Sequence, residues 1–262
     1  MVKITLDLSK SVEKNAEVYF NKSKKAKKKL EKTITALTRI KKRQLRFNKE
    51  REKRREEELA KEKELKQISE KEWYEKFHWF TSSEGFLVIG GKDATSNEIV
   101  VKKHTDPDDI IFHTDIAGSP FFIIKTKGKK PGNVTLQETA IATASYSRAW
   151  KLGIPSIDVF YVSPDQVTKK AKAGEYISKG AFMVYGKKNF LTAELGLAIG
   201  LKDNKVMAAA LSAVKKHCKE YLEVQQGKEK KSSTAKKIQK KIKAHVDDII
   251  RVLPTGGLNI KK

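Results

Sequence analysis

Short apolar runs separated by turn-forming residues mark out strands in the middle of the chain. The first three runs are residues 86–89, 110–112 and 121–124. Apolar and alternating patterns continue at 157–162, 181–185, 195–201, 206–211 and 221–224. Runs of this length, bounded by glycine, proline, asparagine or aspartate, are typical of β-strands. Asp203 and Asn204 predict a hairpin turn between two of them.

Helical patterns lie among and after these strands. Thr135 and Glu138 have the spacing of a capping box, so a helix is predicted from there to about Leu152. Gly153 and Pro155 should end it. Residues 230–246 predict a basic helix, and 249–253 close the fold. The combination predicts an α/β domain, or α+β, with a mixed β-sheet and packed helices.

Residues 10–75 follow a different pattern, with steps of three and four that are typical of a coiled coil. The seam positions are Ala16, Tyr19, Ser23, Ala26, Leu30, Thr33, Leu37, Ile40, Gln44 and Phe47. Because several are polar or small, we expect this helix to pack against a second one, from this chain or from a partner, and to bury Leu30, Leu37 and Ile40 there. The predicted organisation is a coiled-coil arm at 1–75 and a globular domain at 76–262.

The distribution of charge supports the division into an arm and a globular domain. The chain of 262 residues has a formal net charge of +24, but residues 21–66 hold 20 Lys and Arg against 8 Asp and Glu. Residues 76–200 are nearly balanced, with 16 cations against 12 anions. A basic helix is often only a solvated spacer. This surplus of cations, however, favours contact with the phosphates of a nucleic acid.

Motifs for catalysis or cofactor binding are missing from the sequence. It contains no dinucleotide-binding or P-loop glycine pattern, no HExxH and no GxSxG. With Cys218 as its one cysteine it can form neither an internal disulfide nor a cysteine-based zinc site. We therefore expect no enzyme activity, no cofactor and no metal. The sequence has no membrane-spanning run and no signal peptide, so a cytoplasmic protein with no membrane contact is expected.

The candidate RNA-binding residues fall into two groups. The first lies at the ends of the early strands and comprises Lys92, Asp93, Asn97, His113, Asp115, Ser119 and Lys125. The second lies in a segment rich in lysine and glycine, and comprises Lys169, Lys170, Tyr176, Lys187, Lys188 and Asn189. Cations, flexible backbone and an aromatic ring suit an RNA backbone. We expect folding to bring both groups to one edge of the sheet. The alternative is that His113 and Asp115 only hold the turn at Gly118.

Four segments carry a resemblance to a known family. They are GGKDATSNEIVVKKH, DIIFHTDIAGSPFFIIK, TASYSRAW and QVTKKAKAGEYISKGAFMVYGKKNF. They resemble the NFACT-R domain of ribosome-quality-control factors, called NEMF in animals and fibronectin-binding protein A (RqcH-like) in bacteria. LDLSKSVEKNAEVYFNKSKKAKKKLEK resembles the coiled-coil arm upstream of that domain, and IIRVLPTGGLNI resembles the end of archaeal members.

The resemblance implies a role and partners. Proteins of this family bind the large ribosomal subunit carrying stalled peptidyl-tRNA and recruit tRNA for tailing of the nascent chain. The implied partners are large-subunit rRNA and tRNA. The family's N-terminal domain and helix-hairpin-helix region have no counterpart here, so the chain is expected to be a fragment or a natural split version.

Two alternatives remain open. One is a coiled-coil adaptor for a protein partner, such as a ubiquitin ligase or another quality-control protein. The other is an RNA-processing enzyme centred on His113 and Asp115.

Overall fold

The computed structural model describes residues 3–67, 72–170 and 178–261, with only the backbone for 57–67. The chain divides into two compact units, residues 1–66 and residues 67–262. Each is described separately below.

The first unit is dominated by one long helix, α1 (Val12–Gln67). Asn15 fixes its start, because its side chain accepts a hydrogen bond from the Asp7 N–H at 2.9 Å and donates one to the Asp7 carbonyl at 2.9 Å. The predicted seam is present as a stripe on this helix, but its side chains are not buried. Leu30 is 61% exposed, Leu37 54% and Ile40 61%. The described residues of this chain therefore do not bury these three side chains, and their burial against a partner helix stays a prediction.

The second unit contains a six-stranded sheet in the order β1-β2-β4-β3-β5-β8. Its strands are β1 (His78–Thr81), β2 (Leu87–Gly90), β3 (Ile110–His113), β4 (Phe122–Lys125), β5 (Ser156–Val162) and β8 (Asn189–Glu194). All six of these strands supply fully buried side chains, including Phe80, Ile89, Phe112 and Ile123. The strands expected from the short apolar runs are confirmed, because each run forms a central part of the core.

Two smaller sheets complete the β structure. A two-stranded one pairs β6 (Val167–Thr168) with β7 (Met183–Val184). The other has the order β10-β9-β11-β12, formed by β9 (Leu197–Lys202), β10 (Lys205–Ala209), β11 (Tyr221–Glu229) and β12 (Leu258–Ile260). The hairpin between β9 and β10 is confirmed. Asp203 and Asn204 both adopt positive φ there, at 49° and 62°, which short polar side chains tolerate well.

Among the described residues, six α-helices accompany these sheets: α2 (Ala94–Lys103), α3 (Asn133–Tyr146), α4 (Arg148–Leu152), α5 (Leu211–His217), α6 (Lys231–Ile242) and α7 (Val246–Val252). Helix α6 packs against β11 and β12, and α7 packs against α6 and β10. They surround a second apolar core that includes Trp150, Ile199, Ile238 and Ile249. The basic helix expected at 230–246 is therefore α6, and the closing segment at 249–253 belongs to α7.

The predicted start of α3 is wrong. Its N-cap is Gly132, and Thr135 and Glu138 do not form a capping box. The Thr135 hydroxyl instead donates to the side chains of Ser82 and Glu84, while the Glu138 carboxylate accepts from Ser83 and Ser212. These two side chains thus form tertiary hydrogen bonds, although their spacing suggested a local helix cap.

The expected α/β fold with a long N-terminal helix is confirmed. All strand pairs of the described residues are antiparallel, so the domain is of the α+β kind and its sheets are not mixed in strand direction. This arrangement places the ends of β1, β2 and β3 close to the N-terminus of α2.

Candidate nucleic-acid interface

A cleft of about 620 Å³ opens in the unit of residues 67–262, where distant parts of the chain converge. Its walls come from the ends of β1 and β2, the N-terminus of α2, the β3–β4 connection, residues 178–182, and the stretch between α6 and residue 255. We call this the cationic cleft, because Lys92, Lys179, Lys231 and Arg251 line it. Asp93 is the one carboxylate among its lining residues.

The cations of the cleft are close enough to affect one another. Partial burial, together with the charges of Arg251 and Lys231, lowers the pKa of Lys92. Burial likewise lowers the pKa of Lys231. Arg251 has only a loose partner, with its Nη1 3.6 Å from the Asp248 carboxylate. The cleft therefore concentrates positive charge that its one lining carboxylate neutralises only in part.

Asp93 offsets only part of this charge, and its carboxylate also has a structural task. It is the N-cap of α2, and its carboxylate accepts a hydrogen bond from the Ser96 N–H at 2.8 Å. That bond is the main reason why the pKa of Asp93 lies below its usual value. The sequence analysis placed Asp93 and Asn97 at a strand end, whereas the structure places them on and before a helix.

Asn97 holds α2 against the β4 side of the cleft. Its Oδ1 accepts a hydrogen bond from the buried Phe121 N–H at 3.1 Å. A Cβ at Gly91 would stand 1.9 Å from that oxygen, so only glycine leaves room for this clamp. Asn97 is 8% exposed, and its contribution to the site is to position the backbone around the cleft.

His78 lines the cleft, and one nitrogen of its ring, Nδ1, is buried without a hydrogen-bond partner among the described residues. The ring stacks on Tyr146, with centroids 3.8 Å apart and planes 25° apart. Burial, with smaller effects of Lys92 and Lys231, holds the pKa of His78 well below 6.5. The imidazole is therefore neutral at physiological pH, and its buried Nδ1 lacks a hydrogen-bond partner among the described residues.

His113 and Ser119 are occupied in shaping the β3–β4 connection. The His113 Nδ1 lies 3.0 Å from the Pro120 carbonyl, and its ring stacks on Phe121 at 3.9 Å. Ser119 is 3% exposed, and its hydroxyl donates to the Ile116 carbonyl at 2.7 Å and lies 2.6 Å from the Thr114 hydroxyl. The polar groups of His113 and Ser119, which were expected to bind RNA, thus form hydrogen bonds within the turn.

The lysine-rich segment reaches this strand end at one residue. Lys188 forms an ion pair with Asp115 at 2.9 Å and lies 4.1 Å from the centre of the Phe160 ring. The two groups of candidate residues thus come into contact at this ion pair. Asp115 pairs with a lysine and not with His113, an arrangement that does not favour an acid–base pair.

The other residues of this segment are spread more widely. Lys169 pairs with Glu98 and covers the Phe182 ring at 5.1 Å. The side chains of Lys170, Lys187 and Asn189 are exposed and outside the cleft. Tyr176 lies outside the described residues. The assignment of these residues to RNA stays a prediction.

Lys125 does not belong to this surface. Its ammonium group pairs with Asp106 at 2.8 Å and with Asp109, and it donates to the His104 carbonyl at 2.8 Å. The Lys125 side chain is only 9% exposed, and that of Asp109 is fully buried. The residue is engaged in a buried ion pair and has no free charge to offer a phosphate.

Sequence reasoning missed His78, Lys231 and Arg251. No local motif surrounds them. His78 lies on β1, whereas Lys231 and Arg251 reach the cleft from α6 and α7, which follow much later in the sequence. In the described part of the chain, no cluster of three His, Cys, Asp or Glu could hold a metal ion. No described helix is long and apolar enough to cross a membrane.

Comparison with known proteins shows which family this chain is similar to. The family model "NFACT protein RNA binding domain" matches residues 76–186. The chain is 42% identical over 201 residues to the archaeal Rqc2 homolog aRqcH of Methanocaldococcus jannaschii, which covers 74% of this chain and 30% of that protein.

It is also 36% identical over 208 residues to the ribosome quality control complex subunit NEMF homolog of Drosophila melanogaster, with 77% and 20% covered. Against human NEMF it is 36% identical over 181 residues, with 68% and 16% covered. The chain thus spans less than a third of the length of each of these relatives.

The fold, the cationic cleft and the matched region define an RNA-binding domain of the NFACT-R class. The chain belongs to the NFACT family of RqcH-like and NEMF-like proteins.

Proposed function

We propose that this chain is the non-catalytic RNA-binding portion of a cytoplasmic ribosome-quality-control factor. In this role it binds the large ribosomal subunit that carries stalled peptidyl-tRNA, and it supports the recruitment of tRNA for tailing of the nascent chain. The names of its relatives support the pathway, and the family model supports RNA as the ligand.

The observation that carries the proposal is the unneutralised charge of the cationic cleft. Lys92 and Lys231 are partly desolvated next to Arg251, an arrangement that costs free energy in the free protein. A polyanion relieves this repulsion when it binds. Phosphate groups of RNA meet the requirement, and they release counterions as they do so.

The test is a salt titration of RNA binding. The affinity of the protein for tRNA, measured by fluorescence anisotropy, should fall linearly on a log–log plot as salt rises. The slope should be about 0.7–0.9 per phosphate contact. Changing Lys92, Lys179 and Lys231 together to Ala should reduce the slope and weaken binding. The matched control changes Lys216, Lys236 and Lys240, which are exposed and outside the cleft.

Two results would count against the proposal. One is an affinity that does not change between low and physiological salt. The other is an equal loss of affinity in the cleft variant and in the control. Purified large subunits, with and without peptidyl-tRNA, then test the finer assignment by co-sedimentation, since the proposed factor should prefer the loaded subunit.

A second function is favoured by the exposed apolar stripe of α1. Leu30, Leu37 and Ile40 lie in solvent at the spacing that a partner helix would need. A protein adaptor, for example one that binds a ubiquitin ligase of the quality-control pathway, would use this stripe and not the cleft. Changing the three residues to Asp should then abolish the pull-down of that ligase and leave tRNA binding intact.

A further inference from the structure

We propose that the cationic cleft captures one unpaired nucleotide of an RNA chain, with its phosphate among Lys92, Lys231 and Arg251 and its base against the aromatic wall at His78 and Phe182. This inference rests on the proposed function and adds a preference for RNA ends and unpaired bases over duplex.

The size of the cleft supports a single nucleotide. Its volume of about 620 Å³ lies within the range of roughly 300–1,000 Å³ that is usual for small-ligand pockets. A double helix presents its phosphates along a broad convex surface, and it cannot enter a space of this size. A nucleotide at an RNA end, or one turned out of the stack, can enter it.

One side of the cleft is suited to a phosphate. Lys231 belongs to the first turn of α6, Arg251 to the last turn of α7, and Lys92 precedes α2. Three elements that are distant in sequence therefore direct cations to the same place. The N-terminus of α2 is already capped by Asp93, so the lysine and arginine side chains must supply the attraction for the anion.

Aromatic side chains of the cleft lining are suited to a base. His78 and Tyr146 form one stack, and His113 and Phe121 form another, while Phe182 meets Phe121 edge-on at 5.3 Å. Bases bind to such surfaces by stacking, with little dependence on sequence. The imidazole of His78 adds an uncharged ring to this lining, which a simple anion site would not need.

Gly180 shows how closely the wall at 178–182 approaches α2. Its φ is +83°, and a Cβ there would lie 2.5 Å from the Ala94 Cα. The glycine N–H also faces the Glu98 carboxylate at 3.4 Å. Because the wall is fixed in this way, the cleft is a formed cavity, and the nucleotide does not have to pay for its assembly.

The experiment compares a short single-stranded RNA, phosphorylated at its 5′ end, with a blunt duplex of the same strand. The single strand carries 2-aminopurine as its terminal base, whose fluorescence reports removal from the stack. We expect the single strand to bind at least about 10-fold more tightly than the duplex, because stacking of one base contributes about 1–3 kcal/mol. The 2-aminopurine signal should change on binding.

Variants separate the two sides of the cleft. Lys231→Ala and Arg251→Ala should each weaken single-strand binding by about 10-fold, as expected for a charge-assisted contact. The matched control is Lys240→Ala, which changes an exposed lysine of α6 outside the cleft and should change binding by less than about 2-fold. His78→Gln should reduce the 2-aminopurine response more than the affinity. If His78→Gln does not fold, Phe182→Leu provides the same readout.

The outcomes are distinguishable. Equal affinity for single strand and duplex, with both weakened by Lys231→Ala, overturns nucleotide capture and leaves RNA binding intact. No binding of either RNA overturns the proposed function as well. Equal affinity for AMP and inorganic phosphate, measured by calorimetry, means that the base contributes nothing, and this too overturns the inference. Tighter binding of AMP than of inorganic phosphate supports it.

Discussion

Replacing Lys125 with Met should destabilise the second unit strongly, although the sequence marks this lysine as a candidate for RNA. The substitution leaves the fully buried carboxylate of Asp109 without its cation. Breaking a buried ion pair in this way costs about 3–5 kcal/mol. Asp109 still accepts hydrogen bonds from the N–H groups of Asp106 and Thr126, so we expect the lower end, about 3 kcal/mol.

For a unit of this length, about 3 kcal/mol corresponds to a fall in Tm of roughly 6–12 °C. Thermal unfolding followed by tryptophan fluorescence measures it, since all three tryptophans lie at positions 73, 79 and 150. Below the transition, the variant should bind tRNA as the parent protein does.

Two further variants control the argument. Lys129→Met changes an exposed lysine close by and should alter stability by no more than about 0.5 kcal/mol. Lys125→Met combined with Asp109→Asn should recover part of the loss, because the unpaired charge is removed. An unchanged Tm together with weaker RNA binding in Lys125→Met would refute the reasoning and return Lys125 to the RNA surface.

Three other predictions follow from burial and exposure. Burial keeps the pKa of His78 well below 6.5, so at mildly acidic pH this histidine is protonated in the unfolded chain and neutral in the folded protein. Stability should therefore fall as pH drops below about 6.5, and His78→Gln should reduce that slope by up to about 1.4 kcal/mol per pH unit in urea unfolding. Leu37→Asp should leave the tryptophan-monitored transition unchanged, since Leu37 is exposed on α1; a lower transition temperature would show that the arm supports the second unit. Burial raises the pKa of the Cys218 thiol to about 11, so iodoacetamide at about pH 8 should modify it slowly until urea unfolds the protein; rapid labelling of the folded protein would contradict this.

The strands were predictable because each local signal agrees with its tertiary role. The apolar run at 121–124 lies almost entirely in the core, and Asp203 and Asn204 adopt the positive φ that their residue types tolerate. Helix α2 was not predicted, although Asp93 and Ser96 carry a cap signal. Ile99, Val100 and Val101 are β-branched, and glycines precede them, so the stretch resembles strand and turn.

The predicted coiled-coil seam shows a different limit. The spacing of Leu30 and Leu37 correctly indicates a helix. Burial of these side chains needs a second surface, and the pattern of a single segment does not show which surface that is. The cleft was only half predictable for a related reason. Lys92 and Asp93 stand out as neighbours in sequence, whereas Lys231 and Arg251 reach the cleft through the packing of two helices that follow much later.

The route by which α6 and α7 reach the cleft affects where a working boundary can be drawn. A protein truncated at Gly186 would retain the region matched by the family model but lose β8, the outer strand of the large sheet, and all of the buried second core except Trp150. It would also lose two of the four cations of the cleft. The matched segment is thus smaller than the unit that can fold and bind. Any transfer of this activity to another protein, by evolution or by engineering, has to include residues 72–261 together.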